Sequence, residues 1–489
     1  MSFSGLDIDK LLINGELVDA EGGAVYPNIN PATEESLGNA ADGQAADVEK
    51  AIAAARAAFD ETEWSTDRAF RVHCLRQLHQ ALTDHGDAFK EMATAEVGLP
   101  SQIAGSTFDS PVEILKWNTD LLESYDFTED LGVSEVAQFK SRRWIEREAY
   151  GVVAAITPWN QPTQVNLAKI SPALAAGCTV ILKGAPTTPW LAAALGKMVA
   201  EHTDIPPGVF NVLTGQTNTL GNELLSDPRV DMVSFTGSTA VGRHIMSEGS
   251  GTLKKLFLEL GGKSAAIVLD DADLASSVMM PGYMCVLHGA QGCATLSRLV
   301  LPRAKFDEGV EMVSQLMASM PYGDPTDPIN VMGPLNSERH RDRVEAMVNR
   351  AKDAGGKPVI GGNRATQFEK GYYFEPTVFA NMPEDAEIVR DEVFGPVLVC
   401  VPHDGDDDAV RIANDSIFGL SGAVYSGDHE RSKAVARKIR AGTMIVDGGI
   451  YYGPDAPFGG YKQSGFGREM GKMGFEEYLN TKTLSEPAD

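Results

Sequence analysis

Cys293 lies in the segment Gly289-Ala290-Gln291-Gly292-Cys293-Ala294. Small neighbours leave the sulfur accessible and let main-chain N–H groups approach a substrate. A thiol of ordinary pKa, about 8.5, is only a few per cent thiolate at neutrality, so attack on carbon demands an activating environment. Taken alone, a cysteine among small residues is more often core. Glu259 follows the apolar run Leu256-Phe257-Leu258 and precedes Leu260-Gly261-Gly262-Lys263-Ser264. Burial there would raise its pKa and suit it to general-base work, and pairing with Lys263 is the competing reading. Gly262-Lys263-Ser264 resembles the end of a P-loop, but Phe257 stands where that loop needs glycine, so it is rejected.

Three further segments place polar groups at strand ends. Thr236-Gly237-Ser238-Thr239 follows the apolar run 232–235 and opens a helical stretch, as a pyrophosphate turn would, or as any strand–turn–helix corner would. Asn160, in Pro158-Trp159-Asn160, could donate to an oxyanion or close an Asx turn. Lys183 ends a run too, where it could bond ribose hydroxyls or be solvated. Cys178 reads as core, and Cys74, Cys285 and Cys400 have no accompanying polar group.

The elements that must position these groups change character along the chain. The first 125 residues read mostly as helix after a short strand, Leu11–Ile13, closed by the hairpin pair Asn14-Gly15. Asp47 precedes one helix, Ser65 or Asp67 opens another, and Gly98-Leu99-Pro100 stops the helical region. From Gly151, short apolar runs at 152–156, 179–182, 209–213 and 232–235 alternate with helical patterns at 166–176 and 190–202. That alternation marks parallel βαβ units in a doubly wound sheet. A second series, with strands at 265–269, 298–301, 397–401, 423–425 and 443–446, alternates with helices at 307–320, 338–354 and 431–440. Two α/β domains divided near residue 260 are expected, with an appended β-ribbon from 134–150 and 475–484. Asp404–Asp408 reads as a solvated turn.

Composition narrows the function. The 489 residues carry 42 Lys and Arg against 68 Asp and Glu, a net charge of −26, which disfavours nucleic acid and anionic membrane as partners. Five scattered cysteines without a CxxC pair argue against a zinc ribbon or disulfide framework. Met1 to Lys10 is polar and no apolar stretch reaches the ~18 residues of a membrane span, so a cytoplasmic protein is expected.

Together the segments resemble the aldehyde dehydrogenase superfamily nearly from end to end. Leu258-Glu259-Leu260-Gly261-Gly262-Lys263-Ser264 is similar to its glutamate signature, and Gly289 to Ala294 to its cysteine signature, 293 − 259 = 34 residues on. Asn30-Pro31-Ala32-Thr33, Thr157-Pro158-Trp159-Asn160, Phe235-Thr236-Gly237-Ser238-Thr239, Glu392-Val393-Phe394-Gly395-Pro396 and Pro457 through Gly465 match as well. The resemblance implies an α/β fold with a Rossmann-like cofactor domain (1–130 and 151–259), a catalytic domain (260–460) and a small β oligomerisation arm (131–150 and 461–489). It implies Cys293 as nucleophile, Glu259 as base, and Asn160 with the Cys293 main-chain N–H as oxyanion donors. NAD or NADP would be held by Lys183, Gly237, Ser238, Glu392, Phe394, Ile156, Trp159, Gly215 and Leu260, with no metal. Homodimers or homotetramers are implied.

His288 and Ala290 depart from the asparagine and glycine common before the cysteine, and Ala240 from a common glutamate. Pro186 stands where a glutamate often touches the adenosine ribose; yet 183–187 offers no arginine for an extra phosphate, so NAD is expected over a usable NADP. Trp159, Tyr452 and Phe458 match positions around the aldehyde entrance, Gln161 and Gln164 are uncharged, and no Lys or Arg accompanies them. Neutral apolar or aromatic aldehydes are expected, and dicarboxylic semialdehydes disfavoured. Two rivals, a thioester-to-coenzyme A branch and a silent binding protein on this fold, sit poorly with the presence of Glu259, Cys293 and Asn160.

Overall fold

The structure, a computed structural model, describes residues 8–488, so most of the polar start read above lies outside them. Its largest sheet has eight strands in the order Gly465–Phe466, Lys255–Glu259, Met232–Thr236, Val152–Ile156, Thr179–Lys183, Phe210–Leu213, Leu11–Ile13 and Glu16–Val18. The middle five are parallel. Helices on both faces bury most of these strands, which is why they are largely apolar runs without polar alternation. The helices Pro162–Ala176 and Pro189–His202 each place proline in the first turn, where its missing N–H costs nothing. Val152–Ile156 and Met232–Thr236 are neighbours whose following connections run in opposite directions along the sheet. A crevice therefore opens beyond their carboxyl ends.

The second sheet runs Pro358–Ile360, Thr377–Ala380, Val397–His403, Arg298–Pro302, Ala265–Val268, Ser421–Tyr425 and Thr443–Val446, parallel except at its first pair. Thr377–Ala380, a central strand of only four residues behind Pro376, is absent from the sequence reading. A third, antiparallel sheet joins Thr128–Val136, Phe139–Ala149 and Leu479–Pro487, starting earlier than the expected ribbon. Within the stretch assigned to the arm, Gly465–Phe466 instead pairs with Leu258 and Glu259 on the large sheet. Gly465 has φ +110, and a Cβ there would collide with the main-chain oxygen of Leu258, so the crossing depends on glycine.

Several local signals act differently from their first reading. Asp47 is the third residue of helix Ala45–Glu61, and its carboxylate accepts the main-chain N–H of the cap residue Gln44 at 2.9 Å. Gly98, at φ +77, ends one helix, but Ser101–Ser124 begins another at once. Asp406, Asp407 and Asp408 form the first turn of helix Asp406–Asn414, where their charge suits the helix dipole, instead of a free turn. Asn30 to Thr33 connect the strands Val25–Ile29 and Ser36–Ala41, with Asn30 Oδ1 accepting the Ala32 N–H at 2.8 Å. Among the described residues no helix is long and apolar enough to cross a membrane.

Candidate active site

All five cysteines are free, and Cys293 alone is partly exposed. Burial and the carboxylates of Glu259, Glu392 and Glu469 push its thiol well above the ordinary range. It sits just past a turn that ends helix Leu274–Val286. His288, Gly289 and Ala290 are all left-handed there, at φ 51, 62 and 53. This turn carries the chain from the helix into the site. Gln291, fully buried, braces the loop: its Nε2 donates to His288 O at 2.9 Å and its Oε1 accepts Asn336 N–H at 2.9 Å.

Asn160 lies just beyond the carboxyl end of Val152–Ile156 and is 7% exposed. Its Nδ2 donates to the main-chain carbonyl of Gln291 at 2.7 Å, two residues from the sulfur. An amide carries two N–H bonds, so one remains for a reacting oxygen.

Glu259 ends Lys255–Glu259, two strands along the sheet from Val152–Ile156, and its main chain pairs in register with Thr236. The carboxyl is 2% exposed and neither oxygen has a partner among the described residues. Burial, then the charge of Glu469, raises its pKa well above the ordinary value, with Lys169 and Arg468 opposing. Gly459 makes room for it: a Cβ there would lie 2.6 Å from Glu259 Oε1. Lys263, the alternative partner, forms no ion pair with Glu259; its ammonium is buried without a partner among the described residues.

The residues expected around a dinucleotide line the crevice. Phe235 pairs with Ile156 across it, and Lys183 ends the next strand. Burial lowers the Lys183 ammonium to about 8. Ser238 caps helix Thr239–Gly249 by accepting Val241 N–H at 3.3 Å, and Gly237 N–H bonds Glu259 O. Leu260 packs over Gly242, where a Cβ would lie 2.7 Å away. Gly215 lies beyond the end of Phe210–Leu213. Glu392 Oε1 accepts Gly262 N–H at 2.9 Å, and burial lifts the carboxyl to about 7. Phe394, at φ 58, meets Trp159 edge-on at 5.5 Å between ring centroids. A buried ammonium at a strand end, a helix N-terminus and a buried carboxyl together fit ribose and pyrophosphate groups.

The Trp159 ring also packs against His340, 4.8 Å between centroids. Ile114, Leu420, Phe458 and Met470 form a small buried apolar cluster, and Cys293, Tyr451 and Tyr452 pack against it. Tyr451 stacks on Phe458 at 6.1 Å. Ile114, Tyr451, His340, Lys169 and Glu469 escaped the sequence reading, which named His288 only as a departure before the cysteine; the adjacency of Tyr451 to Tyr452 and of Glu469 to the Pro457–Gly465 motif hinted at two of them. His340 Nε2 donates to Phe394 O at 2.7 Å. A cavity of about 1000 Å³ beside Phe368 and Tyr373 contains none of the reactive groups.

A model of the aldehyde dehydrogenase family matches residues 17–484. The chain is 38% identical to 3-succinoylsemialdehyde-pyridine dehydrogenase of a Pseudomonas species, over 98% of each chain. It is 35% identical to geranial dehydrogenase of Castellaniella defragrans, over 98% of this chain and 99% of that one. It superposes with TM-score 0.92 on aldehyde dehydrogenase C of Pseudomonas syringae in complex with NAD+ and octanal, at 37% identity, covering 99% of this chain and 98% of the other. The chain belongs to the aldehyde dehydrogenase family. It is an oxidoreductase that acts on aldehydes and has that family's fold.

Proposed function

We propose that this enzyme converts a neutral apolar or aromatic aldehyde to its carboxylic acid, using Cys293, Glu259 and Asn160 as its reacting groups and NAD as oxidant. The observation that carries the assignment is the convergence on one partly exposed thiol of an unpaired buried carboxyl and an amide with a spare N–H. The Cys293 thiol loses its proton to water as the sulfur adds to the carbonyl carbon, and the oxygen, now negative, takes the free N–H of Asn160. NAD, which Lys183, Ser238 and Glu392 would hold in the crevice, would supply the hydride acceptor for the oxidation to a thioester. Glu259 then removes a proton from water as it attacks the acyl carbon, releasing the acid and freeing the thiolate. Residues up to 259 would serve mainly the cofactor, 260–460 the catalytic wall, and the three-stranded sheet assembly.

The aromatic and aliphatic side chains of that cluster, Ile114, Tyr451, Tyr452 and Phe458, support the substrate class, since none offers a cation to a carboxylate. NAD is preferred with NADP usable, because Pro186 removes an acidic discriminator while 183–187 adds no arginine. A homodimer or homotetramer is supported by exposed apolar residues on the ribbon, among them Val136 at 66% and Phe139 at 76%. Free thiols and an acidic surface fit the cytoplasm.

The test is initial NADH formation with hexanal, benzaldehyde and succinate semialdehyde, each with NAD and NADP and with and without coenzyme A. Hexanal or benzaldehyde should lead in kcat/KM, and coenzyme A should be dispensable. A clear lead for succinate semialdehyde would overturn the substrate class, and about tenfold preference for NADP the cofactor.

A further inference from the structure

Asn160 is gripped twice by one loop. Its side-chain Nδ2 donates to Gln291 O at 2.7 Å, and its own main-chain carbonyl lies 3.0 Å from His288 Nε2. A carbonyl only accepts, so the His288 ring must carry its proton on Nε2. Burial holds the ring neutral, and Nδ1 has no partner among the described residues, as that tautomer leaves it. His288 occupies this place at the cost of a left-handed backbone, φ 51, followed by two more left-handed residues. Gln291 O alone would leave the Asn160 amide free to swing about its bond to the loop. With the main chain tied as well, the remaining N–H has a fixed direction relative to Cys293.

We propose that His288 is a positioning residue for the oxyanion donor: its Nε2–H ties the Asn160 main chain to the cysteine loop and so aims the spare amide N–H at the substrate oxygen. The inference rests on the reading of Asn160 as that donor. It concerns turnover more than binding, because a donor aimed at developing charge matters most in the transition state.

The experiment compares kcat and KM of full-length His288→Phe, which keeps a ring and loses the donor, with His288→Gln, which keeps an N–H. Asn160→Ala and the His288→Phe/Asn160→Ala double variant complete a cycle. His288→Phe should lose about 10- to 100-fold in kcat, the scale of a small misplacement at a reacting centre, with the NAD KM moving less than about threefold. His288→Gln should recover to within about fivefold of wild type, and the double variant should be no slower than Asn160→Ala. Should His288→Phe not fold, His288→Ala, which also removes the donor, is read in its place. A donorless variant near wild type, an inactive His288→Gln, or losses that multiply in the double variant would each overturn the proposal. A harmless Asn160→Ala would instead overturn the oxyanion reading on which it stands.

Discussion

The ammonium of Lys169 lies 2.8 Å from the carboxylate of Glu469, and both side chains are sealed from solvent, Lys169 completely. The pair acts on Glu259 in opposite senses: Glu469 raises its pKa and Lys169 lowers it. A buried pair of this kind is retained at a desolvation cost, which makes its electrostatic effect on a neighbour its more informative property.

Replacing Glu469 by Gln keeps an acceptor for Lys169 and removes the negative charge. The pKa of Glu259 should then fall, and the ascending limb of kcat against pH, where the base becomes ionised, should move to lower pH. A limb that stays in place, in a variant that folds, would show that the Glu469 charge does not govern the base.

Cys293→Ala should abolish aldehyde oxidation while the fold and cofactor binding persist, since only the attacking sulfur is lost. Cys285→Ala should matter far less, because that thiol is fully buried and burial pushes its pKa up to about 12. Circular dichroism, nucleotide titration and NADH absorbance on the same samples separate the cases.

Glu259→Gln should split the two half-reactions. Stopped-flow absorbance is expected to show a burst of about one NADH per site and then slow turnover, as the thioester waits for water. Unchanged steady-state turnover would assign the base elsewhere.

His340 makes a stability prediction with a definite sign. Burial depresses its pKa from 6.5 to about 4, so the unfolded chain binds the proton first as pH falls. The neutral ring therefore contributes stability in full above about 6.5, and that contribution drains away as pH drops toward 4, on the order of 3 kcal/mol. His340→Gln, which keeps a donor for Phe394 O, should lose less of its urea midpoint between pH 7.5 and 5 than wild type. Equal losses would refute the assignment.

The parallel strands were legible because burial on both faces favours apolar residues, as in Val152–Ile156, and the large motifs drew attention to Cys293, Glu259 and Asn160. What escaped were groups defined by tertiary contact. Gly465–Phe466 is two residues long and carries no period. His288 and His340 each act through a ring nitrogen on a carbonyl 128 and 54 residues away, which no local pattern encodes. Asp47 was misplaced as a helix opener because a capping box puts the acidic partner three residues inside. Trp159 stands in a motif beside Asn160, yet its ring packs against His340 and Phe394, far away in sequence.

The crossing of Gly465–Phe466 back to the strand of Glu259 has a consequence for biosynthesis. Until that dipeptide has left the ribosome, Lys255–Glu259 is the open edge of the large sheet, with unpaired main-chain groups next to the future base. Phe458, Gly459 and Glu469, which wall and tune the site, emerge with it, and Leu479–Pro487 closes the ribbon last. A nascent chain halted near residue 455 thus holds Cys293, Glu259 and Asn160 yet presents a sticky strand edge instead of a reaction chamber, so the final thirty or so residues decide between an enzyme and an aggregation-prone intermediate.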